Sequence, residues 1–260
     1  MPELRIVLIG TGNVATVLGK KFLAAGHAVV QVFGRNMDAT RVLAQQLNAG
    51  FTTGSRQVDE TADLYVLAVS DSAIAGVARS LKPVRGMVVH TAGSVSKESL
   101  KSCSKNYGVL YPLQSLRKEM EELPEIPFLV DGNTEDGRTL IFDFAQTLSK
   151  KVKLAGDDER LKLHVAAVVV SNFTNHLYTL AAQYCEKEKT DFNLLLPLIT
   201  AIAERLYHIP PAASQTGPAV RGDDATINSH LALLKEHPAL EKMYTLFTNN
   251  IRETGGSRSE

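Results

Sequence analysis

Six residues near the start of the chain have the types and spacing of a phosphate cradle. Gly10, Thr11, Gly12, Asn13, Val14 and Ala15 read GxGxxA, directly after the apolar run RIVLI. In that pattern the first glycine permits a tight turn and the second lets backbone approach a pyrophosphate. The small third residue lets a helix pack closely on a strand. Amide groups at the start of a helix have no partner inside it and can hold phosphate oxygens. A bare GxGxxG is weak evidence. Here it follows a buried-looking strand, opens a helical pattern and precedes a second strand ending about 20 residues on, which makes it specific. The bland alternative is a strand–helix turn that binds nothing.

The end of the second strand selects the dinucleotide. A site for NAD places Asp or Glu there to bond the ribose hydroxyls. This chain has Gly34, Arg35 and Asn36 instead. A 2′-phosphate is repelled by a carboxylate and attracted by a guanidinium, so Arg35 points to NADP(H). The other reading is an arginine merely solvated on its loop. The mononucleotide motif GxxxxGK[ST] is missing, since Gly19-Lys20 is followed by Lys21.

Proton-handling candidates come from three loops and a helix. Val69 ends the run LYVLAV, and Ser70 and Asp71 follow it. With Thr91 these three can reach a nicotinamide or its ribose, which with residues 10–15 and 34–36 makes thirteen residues expected to bind the cofactor. His90 ends the run MVVH, and Thr91 and the small residues up to Ser94 follow it. Residues 112–115 follow GVLY. These loops begin where open parallel sheets bind ligands. His90 can donate a proton to a carbonyl or imine, or it can simply shape the loop. On a helix, at about 100° per residue, His164, Ser171 and Asn175 share a stripe, with Asn172 and His176 beside it. They face either a substrate or another helix. Lys162 lacks the Asn four residues later that a catalytic lysine of hydroxyacid dehydrogenases would have. Arg221, in TGPAVRGD, can clamp a substrate carboxylate or pair with Asp223. The catalytic candidates are therefore His90, His164, Asn172 and Arg221. No spacing suits a metal.

These residues need a frame. Short apolar runs at residues 5–10, 28–33, 64–69, 87–90, 108–111 and 127–130 alternate with helical patterns at 13–25, 37–48, 72–81, 96–102 and 135–149. Continuous apolar strands imply burial on both faces, and the alternation implies a doubly wound, mostly parallel α/β sheet with right-handed crossovers. After Gly156 the strands stop. Helices are expected at 157–187, roughly 45 Å long, at 191–207 with a kink at Pro197, at 224–237 and at 238–252. The loop 209–223 lies between the second and third, and the tail GGSRSE is read as disordered. The expected domains are thus 1–155, a dinucleotide-binding Rossmann domain, and 156–260, an all-helical substrate and dimerisation domain.

Composition sets the outer bounds. Of 260 residues, 44% are hydrophobic, and 28 Lys+Arg balance 28 Asp+Glu. Such a chain buries a core and has no net field for nucleic acid or an anionic membrane. The longest apolar run is interrupted by Pro197 and falls short of the ~20 residues a membrane span needs. Cys103 and Cys185 fit no zinc or redox spacing and suit a reducing, cytoplasmic setting.

GTGNVA, FGRN, AVSD (residues 68–71), HTAGS (90–94), YPLQSL (111–116) and TGPAVRGD (216–223) followed by HLALL resemble the Rossmann-like family of uncharacterised NADP oxidoreductases. Relatives of that family include pyrroline-5-carboxylate reductase and the deazaflavin-dependent NADP oxidoreductases. The resemblance spans about residues 5–250. It implies a Rossmann domain plus a helical domain that pairs two chains into a homodimer, but it supplies no substrate. The expected function is NADP(H)-dependent hydride transfer to or from a small carbonyl, hydroxy acid or imine, which can carry an anionic group. The substrate is expected between the domains. The rival reading is a non-catalytic NADP(H)-binding sensor or assembly module.

Overall fold

The computed structural model describes residues 2–120, 122 and 125–256. Among them eight strands form one sheet: β1 (Arg5–Ile9), β2 (Ala28–Phe33), β3 (Gly50–Thr52), β4 (Leu64–Leu67), β5 (Met87–His90), β6 (Tyr107–Pro112), β7 (Phe128–Gly132) and β8 (Val152–Leu154). Their order is β3-β2-β1-β4-β5-β6-β7-β8. All neighbours are parallel except β6 and β7, which pair antiparallel. The strand order reverses beside β1, so the carboxyl ends of β1 and β4 border a crevice.

The apolar runs are buried on both faces, as their lack of alternation predicts. Ile6 and Leu8 of β1 join one core with Leu18 and Phe22 of α1 (Asn13–Ala24), Leu43 of α2 (Met37–Gln46) and Phe144 of α4 (Glu135–Leu148). Val7 and Ile9 join a second core with Ile74 and Ala78 of α3 (Ile74–Ser80). A sheet covered by helices on both faces results.

Several expected elements differ. β3 and β8 were not expected: each is three residues long, too short for a periodic signal. The helix expected at 96–102 is a 3-10 turn, Lys97–Leu100, and a second such turn, Asp71–Ala73, opens the segment expected as one helix at 72–81. Pro197 makes no kink. A 3-10 turn, Phe192–Leu195, ends before it, and the proline sits in the first turn of α7 (Leu196–Arg205), where its missing N–H costs nothing.

The long helix expected at 157–187 is α5 (Asp157–Ala167), a π-helical turn (Val168–Phe173) and α6 (Thr174–Lys187). The run Val168-Val169-Val170 is β-branched and poor at holding a regular helix. A π turn is wider than an α turn, so one angular step per residue does not carry the polar stripe across it.

The chain divides into two compact units, Met1–Ser171 and Asn172–Glu260. The division falls inside the π turn, not at residues 155/156, because α5 is tied to the sheet. Arg160 donates to Val95 O, and His164 meets Tyr111. The second unit is helical: α6, α7, α8 (Pro218–Arg221), α9 (Asp224–Leu234) and α10 (Pro238–Gly256). Within it α10 packs on α6, α8 and α9. Gly255 and Gly256 close α10; residues 257–260 of the expected disordered tail lie outside the described residues. No helix among the described residues is long and apolar enough to cross a membrane.

Two glycines let α4 approach the antiparallel pair. Gly108 and Gly132 are partners across β6 and β7. A Cβ on Gly132 would lie 2.6 Å from the backbone nitrogen of Arg138 and 2.8 Å from the carbonyl carbon of Gly137, both in α4. Gly132→Ala should therefore destabilise the first unit by about 3 kcal/mol, the upper range for overpacking. Urea unfolding measures it, and an unchanged midpoint would show that α4 is not seated on this glycine.

Candidate active site

The turn out of β1 is held by sterics. Gly10 has φ +123°, and a Cβ there would lie 2.8 Å from the carbonyl carbon of Ala68. Its N–H donates to Phe33 O at 2.8 Å. α1 then starts at Gly12 with no side-chain cap and no acidic residue in its first turn. A Cβ on Gly12 would face open space, with nothing within 4 Å. Ala15 is fully buried behind this turn. An uncapped helix start beside open space, with no negative charge on it, fits a pyrophosphate.

A crevice of about 1020 Å³ opens there. It is bordered by residues 10–14, by Gly34, Arg35 and Asn36, and by Val69 and Ser70. Thus ten of the thirteen residues expected to bind the cofactor surround one cavity. The loop after β2 is pressed against the first turn: a Cβ on Gly34 would lie 2.8 Å from the Thr11 methyl. Asn36 is partly occupied as the cap of α2, accepting from Ala39 N at 2.9 Å. Arg35 is exposed and forms no ion pair among the described residues, while the nearby Asp38 is taken by Arg41 at 2.9 Å. The far wall, Ala73, Gly76 and Val77, was not expected. Its signal is the spacing of small residues Ala73 and Gly76, one turn apart.

Of the remaining three, Ala15 packs in the core, and Thr91 and Asp71 do not border this crevice. Thr91 is buried, and its N–H and hydroxyl both reach Leu67 O, at 3.2 and 3.4 Å. Asp71 is exposed and accepts from Ser94 Oγ at 2.5 Å.

A second cluster lies at β5, β6 and α5. His90 is 0% exposed; its Nδ1 accepts from Ala92 N at 3.2 Å, and its Nε2 has no hydrogen-bond partner. Burial, reinforced by the Arg160 charge, pushes its pKa down to about 4. The imidazole is therefore neutral at pH 7, and its contact with Ala92 N lies within the loop it opens. Arg160, which sequence reasoning missed, is 1% exposed. Its Nη2 donates to Val95 O at 2.5 Å and pairs with Asp157 at 2.8 Å, while Nε and Nη1 are buried without partners. Burial tends to raise the Asp157 carboxyl, but hydrogen bonds from Ser96 and Arg160 hold it below the usual range.

His164 is half-buried, and its Nδ1 lies 2.9 Å from the Tyr111 hydroxyl. Tyr111 was missed because a tyrosine ending an apolar strand looks like core. Lys162 is exposed and bonded to Asp158 at 2.6 Å. In the second unit Asn172 and Arg221 are both exposed. Arg221 forms no ion pair among the described residues. The expected alternative partner, Asp223, caps α9 by accepting from Thr226 N at 3.1 Å and Oγ1 at 2.7 Å.

Comparison with known proteins matches this architecture. Residues 5–110 fit the family described as NADP oxidoreductase, coenzyme F420-dependent, and residues 126–251 fit a domain of unknown function, DUF2520. A solved structure from Bacteroides fragilis, described as a "putative NADP oxidoreductase", is 37% identical with a TM-score of 0.89, covering 96% of this chain and 98% of that one. A protein from Thermotoga maritima is 22% identical with a TM-score of 0.78, over 96% and 99%. A 1-pyrroline-5-carboxylate reductase from Streptococcus pyogenes shares the fold at 13% identity and a TM-score of 0.65, over 96% and 99%. Nothing among the curated proteins matches the chain.

The buried His90 links stability to pH. An unfolded chain protonates this imidazole near pH 6.5, whereas the folded one does so only at about 4. Between those values the unfolded state binds the extra proton, so stability is full above pH 6.5 and falls as pH drops towards 4. At pH 5 the loss from this group is about 2 kcal/mol. His27, buried and with its pKa also lowered by burial, acts in the same direction. His90→Gln should shrink the difference in unfolding free energy between pH 7 and pH 5 by about 2 kcal/mol and leave His27's part. Equal differences in both proteins would refute a buried neutral His90.

Proposed function

Because this chain belongs to the NADP oxidoreductase family represented by its Bacteroides fragilis relative, we propose that it is an NADP(H)-dependent enzyme acting on a small carbonyl, hydroxy acid or imine. The observation that carries this reading is the uncapped, acid-free start of α1, open at Gly12, in a crevice that also takes in Arg35. The amides at the start of α1 would hold the pyrophosphate, and Arg35 the 2′-phosphate. When bound, the cofactor supplies or accepts a hydride.

The protein's part is to orient the reactants and balance the proton. His164, in reach of Tyr111, is better placed for that than the neutral His90. For Arg221, exposed and free of an ion pair among the described residues, we propose a clamp for an anionic group, and for Asn172 a polar contact. Both cysteines are buried and free, which suits a reducing, cytoplasmic compartment.

A homodimer through the helical unit belongs to the same reading. Leu194 is 78% exposed and Tyr207 84%, with Leu196, Leu198, Ile202 and Leu206 exposed between them. No residue of α7 is buried. Such an apolar surface marks an interaction site.

Two outcomes follow. NADPH should bind more tightly than NADH by calorimetry, and Arg35→Ala should weaken NADPH by roughly 10- to 100-fold, the value of one charge-assisted bond, while sparing NADH. Equal affinities, or an Arg35→Ala protein with unchanged NADPH affinity, would remove the 2′-phosphate assignment. NADPH oxidation with purified protein over keto acids, aldehydes, cyclic imines and a deazaflavin then tests the enzyme; tight binding with no turnover supports the sensor reading. Light scattering at micromolar concentration should give the mass of a dimer, and Ile202→Asp should give a monomer. A wild-type monomer would sink the pairing.

A further inference from the structure

We infer that Tyr111 is the acid that protonates the substrate and that His164 holds and replenishes its proton, an assignment that rests on the oxidoreductase reading above. The Tyr111 hydroxyl and His164 Nδ1 lie 2.9 Å apart, with the two rings edge-on at 5.8 Å. Tyr111 stands near the carboxyl end of β6, the side of the sheet where the cofactor crevice opens. The pair is built into the fold. A Cβ on Gly93 would lie 2.7 Å from His164 Nδ1 and 2.9 Å from Tyr111 Cζ, so the loop after β5 covers both rings only because residue 93 lacks a side chain.

The two members differ in exposure. Tyr111 is buried and His164 half-buried, so the imidazole is the member open to water. The charged groups that act on the phenol are Asp71 after β4 and Arg160 on α5. Burial, with Asp71, pushes the phenol above its usual range, and Arg160 pulls the other way. The phenol therefore carries its proton at neutral pH. His90 is neutral and offers no competing acid.

The proton balance fixes the direction of the hydrogen bond. If His164 Nδ1–H donates to Tyr111 Oη, the phenol proton remains for the substrate. When bound, NADPH supplies a hydride, two electrons and one proton, to the substrate carbon. The C=O or C=N π pair then moves onto oxygen or nitrogen, which takes the proton from Tyr111 Oη. Oη takes one from His164 Nδ1 as solvent gives one to Nε2, which leaves the imidazole in its other tautomer; exchange with water returns the proton to Nδ1. One hydride and one solvent proton are added, and after that exchange each protein group is as it began.

The test uses Tyr111→Phe, which keeps the ring, and His164→Asn, which keeps a polar group. NADPH affinity by calorimetry should stay within about twofold of wild type. With 2-methyl-1-pyrroline and ethyl pyruvate as probe imine and carbonyl, Tyr111→Phe should cut kcat by ~10²-fold or more. His164→Asn should lower kcat and move the midpoint of its pH profile, which a packing role alone would not do. In cofactor-free protein the imidazole nitrogen chemical shifts of His164 should report Nδ1 as a hydrogen-bond donor and should move in Tyr111→Phe, which removes its partner. Normal NADPH binding with kcat within tenfold of wild type in Tyr111→Phe would overturn the assignment, as would unchanged His164 nitrogen shifts. If wild type binds NADPH yet reduces neither probe, the substrate reading above fails on its own. The nitrogen shifts then decide the pair: a donating Nδ1 whose shift moves in Tyr111→Phe supports it, and unmoved shifts overturn it.

Discussion

A β-carbon at position 10 would run into the Ala68 carbonyl. That exclusion sits where three strands end together: Gly10 N donates to Phe33 O at 2.8 Å, and Ala68 N donates to Ile9 O at 2.7 Å. With β1, β2 and β4 clamped at one point, the chain can leave β1 only by the positive-φ turn, and α1 must begin at once. Its unsatisfied amides then face the gap between the strand ends. The Thr11 methyl lies where a side chain on Gly34 would be, which fixes the loop carrying Arg35 against the same gap. One steric constraint thus sets both the bare start of α1 and the loop that carries Arg35.

The other half of the candidate site depends on a buried charge. Arg160 is drawn under the loop after β5 by Val95 O and balanced by Asp157. Burying a guanidinium is tolerated only when it is paired, and this one pairs within its own helix and to the loop it supports. The result is that α5 lies on the sheet and carries His164 to Tyr111. The same charge opposes protonation of His90. A neutral His90 and a charged Arg160 are mutually consistent, and the loop between them is held by backbone contacts that do not titrate near pH 7.

Much of the first unit was legible because its signals are local. RIVLI, AVVQVF and MVVH are strands at the positions their apolar runs mark, since burial on both faces keeps such runs apolar but for Gln31 within the second and the terminal Arg5 and His90. GTGNVA and FGRN read out the crevice because each residue there answers a steric or charge demand of its immediate neighbours. The remainder depended on partners distant in sequence. Tyr111 and His164 are 53 residues apart, and nothing in either segment announces the other. Arg160 reads as an ordinary surface residue of an acidic helix start until Val95, 65 residues away, is brought over it. The π turn escaped because a run of valines lowers helix propensity without saying how the helix will yield.

The charges at two helix starts show why the chemistry divides as it does. α1 and α5 both begin at a glycine with no side-chain cap, Gly12 and Gly156. Geometry alone would make either an anion site. α1 has no acid in its first turn, whereas α5 opens with Asp157, Asp158 and Glu159. Those carboxylates satisfy the positive end of the helix dipole themselves and are in turn taken by Arg160, Lys162 and Lys153. A phosphate approaching α5 meets three negative charges already there. One approaching α1 meets bare amides. The first unit therefore separates two electrostatic tasks. One helix start is left open to an anion, and the other is neutralised from within, so that α5 can present a half-buried imidazole to a phenol.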